Sequence, residues 1–258
     1  MSVHATAVVA PSAVVPASCT VGPYCTIGPN VVLGEDCELI SHVILDGHTT
    51  IGARNKFFPF SSIGVAPQDI SYAGQPTRLE MGDENVVRES VTISRGTVKG
   101  GGLTRVGSYC LFMTCAHVGH DSQVGDHCIM ANAATLAGHV IVEEWTTVGA
   151  FSAVHQFCFV GRYAFIGGGT ICTQDVLPFS LTASKREARA YGINKIGLQR
   201  RGFSKERIKV LQHAYRTLLA SRLNTAQAME RLRAEGTSTD DVAYLIECVE
   251  RSTRGVIK

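Results

Sequence analysis

Five histidines crowd residues 117–155, and four of them, His117, His120, His139 and His155, carry the chemistry considered first. A neutral imidazole with a pKa near ~6.5 is the usual general base at neutral pH. Asp121 directly follows His120, and a carboxylate there can fix the imidazole tautomer and stabilise the imidazolium that forms. Gly138 offers a backbone N–H that a ligand can approach closely, which suits an oxyanion hole for acyl transfer. Cys115 and Cys158 lie nearby, but neither has a base–nucleophile spacing. These residue types therefore point to a substrate hydroxyl activated by His120, with no covalent enzyme intermediate.

Such chemistry needs elements that bring the residues together, and the sequence supplies them through a six-residue repeat. Val21-Gly22-Pro23-Tyr24-Cys25-Thr26 is followed by Ile27-Gly28-Pro29-Asn30-Val31-Val32 and Leu33-Gly34-Glu35-Asp36-Cys37-Glu38. Position one is usually aliphatic, position two often Gly or Ala, and position five small or β-branched. The register runs from Val3 to about Ile63 and resumes in phase at Met81. It restarts one residue out of phase at Val106 and continues to Ile166. Interruptions at about 65–80 and 98–105 read as inserted loops.

Neither a helix nor an alternating strand has period six. Short strands joined by turns do, with one aliphatic side chain pointing inward per side and glycine expected to permit the bend at each corner. Three sides make an 18-residue coil, and coils stack at the ~4.8 Å strand spacing into a parallel β-helix. Residues 18 apart then share a column. His120, Gly138 and Gln156 form one column; Asp121, His139 and Phe157 form the next. All lie within about 10 Å, two strand spacings, and His139 and Gln156 would hold a polar substrate. Neighbours in a strand point to opposite faces, so a His120–Asp121 contact requires a corner or bulge. His48 and His127 read as solvated surface imidazoles.

The 258 residues carry a net charge of +2 and are 45% apolar. That apolar fraction excludes a disordered chain, and no stretch approaches the ~20 apolar residues of a membrane span. The total conceals a segregation. Residues 1–177 hold 8 basic and 14 acidic side chains, and residues 178–258 hold 16 basic and 8 acidic. The chain thus divides into an acidic solenoid, 1–177, and a basic helical part, 178–258. In the latter, Ser204, Thr225 and Thr239 are expected to cap helices, which Gly202 and Gly236 punctuate. No nucleic-acid partner and no stable membrane insertion are expected. Nine cysteines without a C-x-x-C pair argue against a disulfide framework or structural zinc and favour a reducing cytosol. Six of them occupy position five and read as small inward-facing residues.

Hexads of this kind resemble the left-handed β-helix acyltransferases. More specifically, Arg88–Thr97, Gly100-Gly101-Gly102, Ala116-His117-Val118-Gly119-His120-Asp121, Leu136-Ala137-Gly138-His139-Val140 and His155-Gln156-Phe157-Cys158 resemble the UDP-N-acetylglucosamine O-acyltransferase family. The likeness continues through Gly192-Ile193-Asn194, Gly197–Phe203 and Arg251–Gly255. It implies a left-handed coil, a cytoplasmic homotrimer with active sites between subunits, and no cofactor or metal. It further implies transfer of an (R)-3-hydroxyacyl chain from acyl carrier protein to the sugar 3-position, the first step of lipid A biosynthesis. His120 matches the family's base, Asp121 its supporting acid and Gly138 its oxyanion amide. Substrate contacts match Gln68, Asp69, His117, His139, His155, Gln156, Asn194, Arg200 and Arg201. The basic C-terminal part would steer the acidic carrier protein.

Two positions depart from the family pattern: Ser71 stands for an expected lysine, and Lys195-Ile196 for an acidic residue. Gly168 falls at the family's acyl-length ruler and, lacking a side chain, should leave room for a longer chain. Other readings are another hexapeptide acyltransferase with an acyl-CoA donor or a different sugar, a zinc-dependent β-helix hydratase recruiting His117, His120 and His139, and a non-catalytic solenoid.

Overall fold

The structure, a computed structural model, describes every residue except Met1, 185–187, 221–222, 236–238, Arg254 and Lys258. The hexads form strands of two to four residues that stack in parallel, and the three sheets they build hold eleven, nine and seven strands in all. Val118 pairs with Leu136, and Leu136 with Val154, one 18-residue coil apart each time. The expected parallel β-helix is therefore formed.

Loop lengths explain the phase of the sequence repeat. Met81 pairs with Ile51, 30 residues back, so the first loop adds 12 to an 18-residue coil. Twelve is a multiple of six, and the repeat resumes in phase. Val106 pairs with Met81, 25 residues back, so the second loop adds seven and shifts the register by one.

The corners are not made by glycine, which corrects the expectation from sequence. From Tyr109 to Tyr163 every sixth residue, none of them glycine, is left-handed with φ between 56° and 64°. This conformation costs about 1–2 kcal/mol per residue. In return, it aims the corner N–H at the coil before: His139 N donates to His120 O at 2.9 Å, and Trp145 N to Asp126 O at 2.9 Å. The position-two glycines serve a different need, the close approach of coils. A Cβ on Gly22 would lie 1.8 Å from Ile40 O, and one on Gly34 2.5 Å from Gly52 C.

Position one fills the core, with Leu45, Phe57, Ile93, Phe112 and Leu136 fully buried. The position-five cysteines are buried as expected, and their thiols reach the next coil. Cys110 Sγ donates to Gly125 O at 3.2 Å, as Ser122 Oγ does to Ala137 O at 3.1 Å. Burial pushes the Cys37 thiol up to about 11, keeping it neutral.

Beyond the last coils, Ser180–Ser184 extends the eleven-stranded sheet and turns into an antiparallel strand, Ala188–Ile193. Helices follow: α1 (Lys195–Arg200), α2 (Lys205–Tyr215), α3 (Thr225–Ala234) and α4 (Asp240–Arg251). Ser204 caps α2 through Arg207 N, as expected. Asn224, not Thr225, caps α3, in a reciprocal pair with Gln227. Thr239 precedes α4 without a side-chain cap bond. Gly236 lies outside the described residues. Leu177, Phe179, Leu198, Leu211, Tyr215, Leu232 and Leu245 form a second core, and the buried Asp241 carboxylate accepts from Arg207.

The C-terminal tail returns to the solenoid. Asp175 N donates to Gly255 O, Ile257 N donates to Asp175 O, and Ile257 enters the solenoid core. Asp175 itself accepts from Phe159 N and Ser252 Oγ, at 2.9 and 2.7 Å.

Candidate active site

The predicted site residues fall at three different corners of the triangular coil. Both inserted loops leave the nine-stranded sheet and enter the seven-stranded one. Asp121, His139 and Phe157 turn the same corner in later coils. This corner gathers Gln68, Asp69, His117, His120, Asp121, Gly138, His139, His155 and Gln156. Gly168 lies at the corner after the eleven-stranded sheet. Asn194 and Arg201 sit at the remaining corner: Asn194 Nδ2 donates to Tyr163 O, and the Arg201 guanidinium lies 5.3 Å from the Trp145 ring centre.

At the histidine corner, His120 Nδ1 is 2.8 Å from Asp121 Oδ2. The corner needed for this contact is present, because Asp121 is left-handed with φ 60°. The carboxylate is fully enclosed, whereas the His120 and His139 side chains keep 19% and 22% exposure, so solvent reaches both imidazoles but not the carboxylate. His139 Nε2 lies 3.7 Å from the same oxygen. Its ring stacks on Phe157 at 4.4 Å and meets His120 edge-on at 5.1 Å.

Gly138 packs against the His120 imidazole. A Cβ there would fall 2.6 Å from His120 Cε1 and 2.8 Å from Nε2. Glycine is thus required at this position to clear the imidazole. Its N–H donates to no carbonyl of the described residues.

His117 Nδ1 pairs with Thr92 Oγ1 at 2.7 Å. Burial, followed by the nearby His120, holds the His117 imidazole below its ordinary pKa. His155 and Gln156 are exposed, with His155 Nδ1 3.1 Å from Gln156 O. Among the described residues the group of metal-ligating types close enough to hold an ion is His120, Asp121 and His139, within 4.8 Å. His117 is not in this group.

Sequence reasoning missed two residues of the second loop. Thr97 donates from both its N–H and its hydroxyl to the Asp121 carboxylate. Lys99 Nζ reaches Ser71 Oγ of the first loop at 3.1 Å. A cation therefore stands beside position 71 although residue 71 is not lysine. Ser71 N–H and Oγ donate to Asp69, which holds that carboxyl below its usual range. Only the loop's glycine run hinted at a special site.

His127 is not simply solvated: it stacks between Tyr109 and Trp145, at 4.8 and 3.9 Å. Asn194 caps α1 by accepting from Gly197 N at 3.1 Å. Arg200 is exposed, and the Arg201 Nε is buried without a partner among the described residues.

A parallel β-helix with a histidine–aspartate pair at one corner and a helical C-terminal part defines a hexapeptide-repeat acyltransferase. Residues 175–257 match the family described as UDP-N-acetylglucosamine O-acyltransferase, domain 2. An acyl-[acyl-carrier-protein]–UDP-N-acetylglucosamine O-acyltransferase from Anaeromyxobacter sp. is 46% identical over 258 residues, all of both chains. The solved LpxA from Acinetobacter baumannii is 40% identical, with TM-score 0.95 over 99% of each chain. That from Bacteroides fragilis is 36% identical, with TM-score 0.96 over 99% of this chain and 100% of its own. The chain belongs to the UDP-N-acetylglucosamine O-acyltransferase family, and its solenoid is the left-handed parallel β-helix.

Proposed function

We propose that this protein transfers an (R)-3-hydroxyacyl chain from acyl carrier protein to the 3-hydroxyl of UDP-N-acetylglucosamine, the first step of lipid A biosynthesis. The observation that carries this reading is the His120–Asp121 pair, facing Gly138. Asp121 accepts bonds from Thr97, so His120 Nδ1 is the donor to it and Nε2 keeps its lone pair. Nε2 takes the proton of the sugar hydroxyl as its oxygen attacks the thioester carbon. The Gly138 N–H stabilises the oxyanion. Collapse breaks the carbon–sulfur bond, and the proton on Nε2 passes to the leaving thiolate.

Gln68, Asp69, His117, His139, His155 and Gln156 are assigned to the sugar nucleotide at this corner, together with Lys99 in place of a lysine at 71. Asn194, Arg200 and Arg201 belong to the same site only if a neighbouring copy brings its own third corner alongside. This supports a homotrimer with clefts between subunits, and the nine free cysteines fit a reducing cytoplasm. No helix of the described residues is long and apolar enough to cross a membrane. Gly168 leaves the acyl groove open, since a Cβ there meets Ala150 O at 3.2 Å and little else. The test is product mass spectrometry with a set of 3-hydroxyacyl carrier proteins of different lengths. An O-linked product with fourteen-carbon donors preferred over ten supports the reading. Transfer from the CoA thioester at an equal rate, or an N-linked product, counts against it.

A further inference from the structure

The Asp121 carboxylate is held from behind by the second inserted loop. Thr97 N–H donates to Oδ1 at 2.8 Å, and Thr97 Oγ1 lies 2.6 Å from Oδ2, the oxygen that receives His120 Nδ1. The direction of the hydroxyl proton is fixed by a further bond. Gly100 N–H donates to Thr97 Oγ1 at 3.2 Å, occupying a lone pair and leaving the proton for Asp121. The fit leaves no room for solvent behind the carboxylate: a Cβ on Gly100 would fall 2.0 Å from Asp121 Cγ, and one on Gly96 2.8 Å from Oδ1. Thr97 is itself buried.

We infer that Thr97 is a positioning residue for the acyl transfer, whose hydroxyl shares Asp121 Oδ2 with His120 and thereby sets the orientation and hydrogen-bonding strength of the base. The inference rests on the reading of His120 as general base. A buried carboxylate oxygen accepting two donors is locked in rotation, so the imidazole it holds is locked too. When the hydroxyl is removed, Oδ2 serves His120 alone. The negative charge no longer shared stabilises the imidazolium, which is the inactive state of a base, and the carboxylate gains freedom to turn. The charged and titratable groups facing His120 are Asp121, His139, His117 and Asp69, and the substitution alters the bonding of the first alone.

The experiment compares Thr97→Val and Thr97→Ser in the full-length protein, with acyl carrier protein donor and UDP-N-acetylglucosamine. Valine keeps the shape and the backbone N–H but removes the hydroxyl, and a hydrogen bond to a charged group corresponds to about a tenfold effect. Thr97→Val is expected to lower kcat about tenfold with KM for the sugar nucleotide nearly unchanged, and to move the acidic limb of kcat/KM to higher pH. Thr97→Ser is expected to restore both. Wild-type kcat and an unmoved limb in Thr97→Val would overturn the inference. So would equal losses in both variants, which would mark general damage to the loop. His120→Asn is assayed alongside. If it stays active, the base assignment fails; if it is dead while Thr97→Val behaves as wild type, only the role of Thr97 fails.

Discussion

His120 and Asp121 are adjacent in the chain, yet their side chains meet at 2.8 Å. In a strand they would point to opposite faces. The left-handed backbone at Asp121 rotates its carboxylate back toward the preceding imidazole, so the turn that closes the coil also brings this pair together. The two side chains therefore need no loop from elsewhere to bring them together, and Thr97 of the second loop holds the carboxylate.

Removal of the imidazole tests the pair most directly. His120→Ala is expected to lower kcat by about 10²–10⁴, the range for losing a general base. KM for the sugar nucleotide should change far less. Steady-state rates with a carrier-protein donor check this, and a variant at full rate would remove His120 from the mechanism.

Gly138→Ala retains the backbone N–H but adds a methyl 2.6 Å from His120 Cε1. The ring must give way, and a displacement of this size is expected to cost at least about 10²-fold in kcat. The solenoid should still fold, because the methyl meets a side chain rather than backbone. Circular dichroism together with the rate distinguishes a misplaced base from a misfolded coil.

Lys99 supplies a positive charge where the first and second loops meet. Lys99→Met is expected to raise KM for the sugar nucleotide about tenfold, the scale of one charge-assisted bond, with kcat little altered. Adding Ser71→Lys to that variant should recover the affinity. If KM does not respond to Lys99→Met, the lysine is a solvated surface charge.

The His117 imidazole sits below its ordinary pKa because burial disfavours its charged form. The unfolded chain then binds more protons than the native one, between the depressed value and ~6.5. Stability contributed by the neutral ring is present above ~6.5 and is lost as pH falls through this window. Denaturation midpoints at several pH values should show that decline, and His117→Asn should flatten it.

The sequence and the structure agree where one regular rule governs. The 18-residue coil made columns of His120 over Gly138 and Asp121 over His139 readable by counting, because hydrogen-bonded stacking permits no slip between residues 106 and 171. The first loop's length was hidden by its being a multiple of six. Glycine has a different role from the one its spacing suggests. The repeat shows where it recurs, but only coordinates show that a neighbouring carbonyl lies against it. Thr97 could not be found by counting, since an irregular loop obeys no period. Nor could the placement of Asn194 and Arg201 at a corner other than that of His120, which depends on how the helical part folds back, whereas Gly168, eight hexads after His120, falls at its own corner by counting.

The returning C-terminal tail has a consequence for length. A stack of parallel coils ends in a rung of unpaired amides and carbonyls, onto which another coil, from any chain with the same spacing, could build. Here Asp175 exchanges backbone bonds with Gly255 and Ile257, and the final hairpin turns the eleven-stranded sheet antiparallel. The growing end is thus terminated by the same chain that built it, which favours a particle of fixed length over an end-to-end fibre.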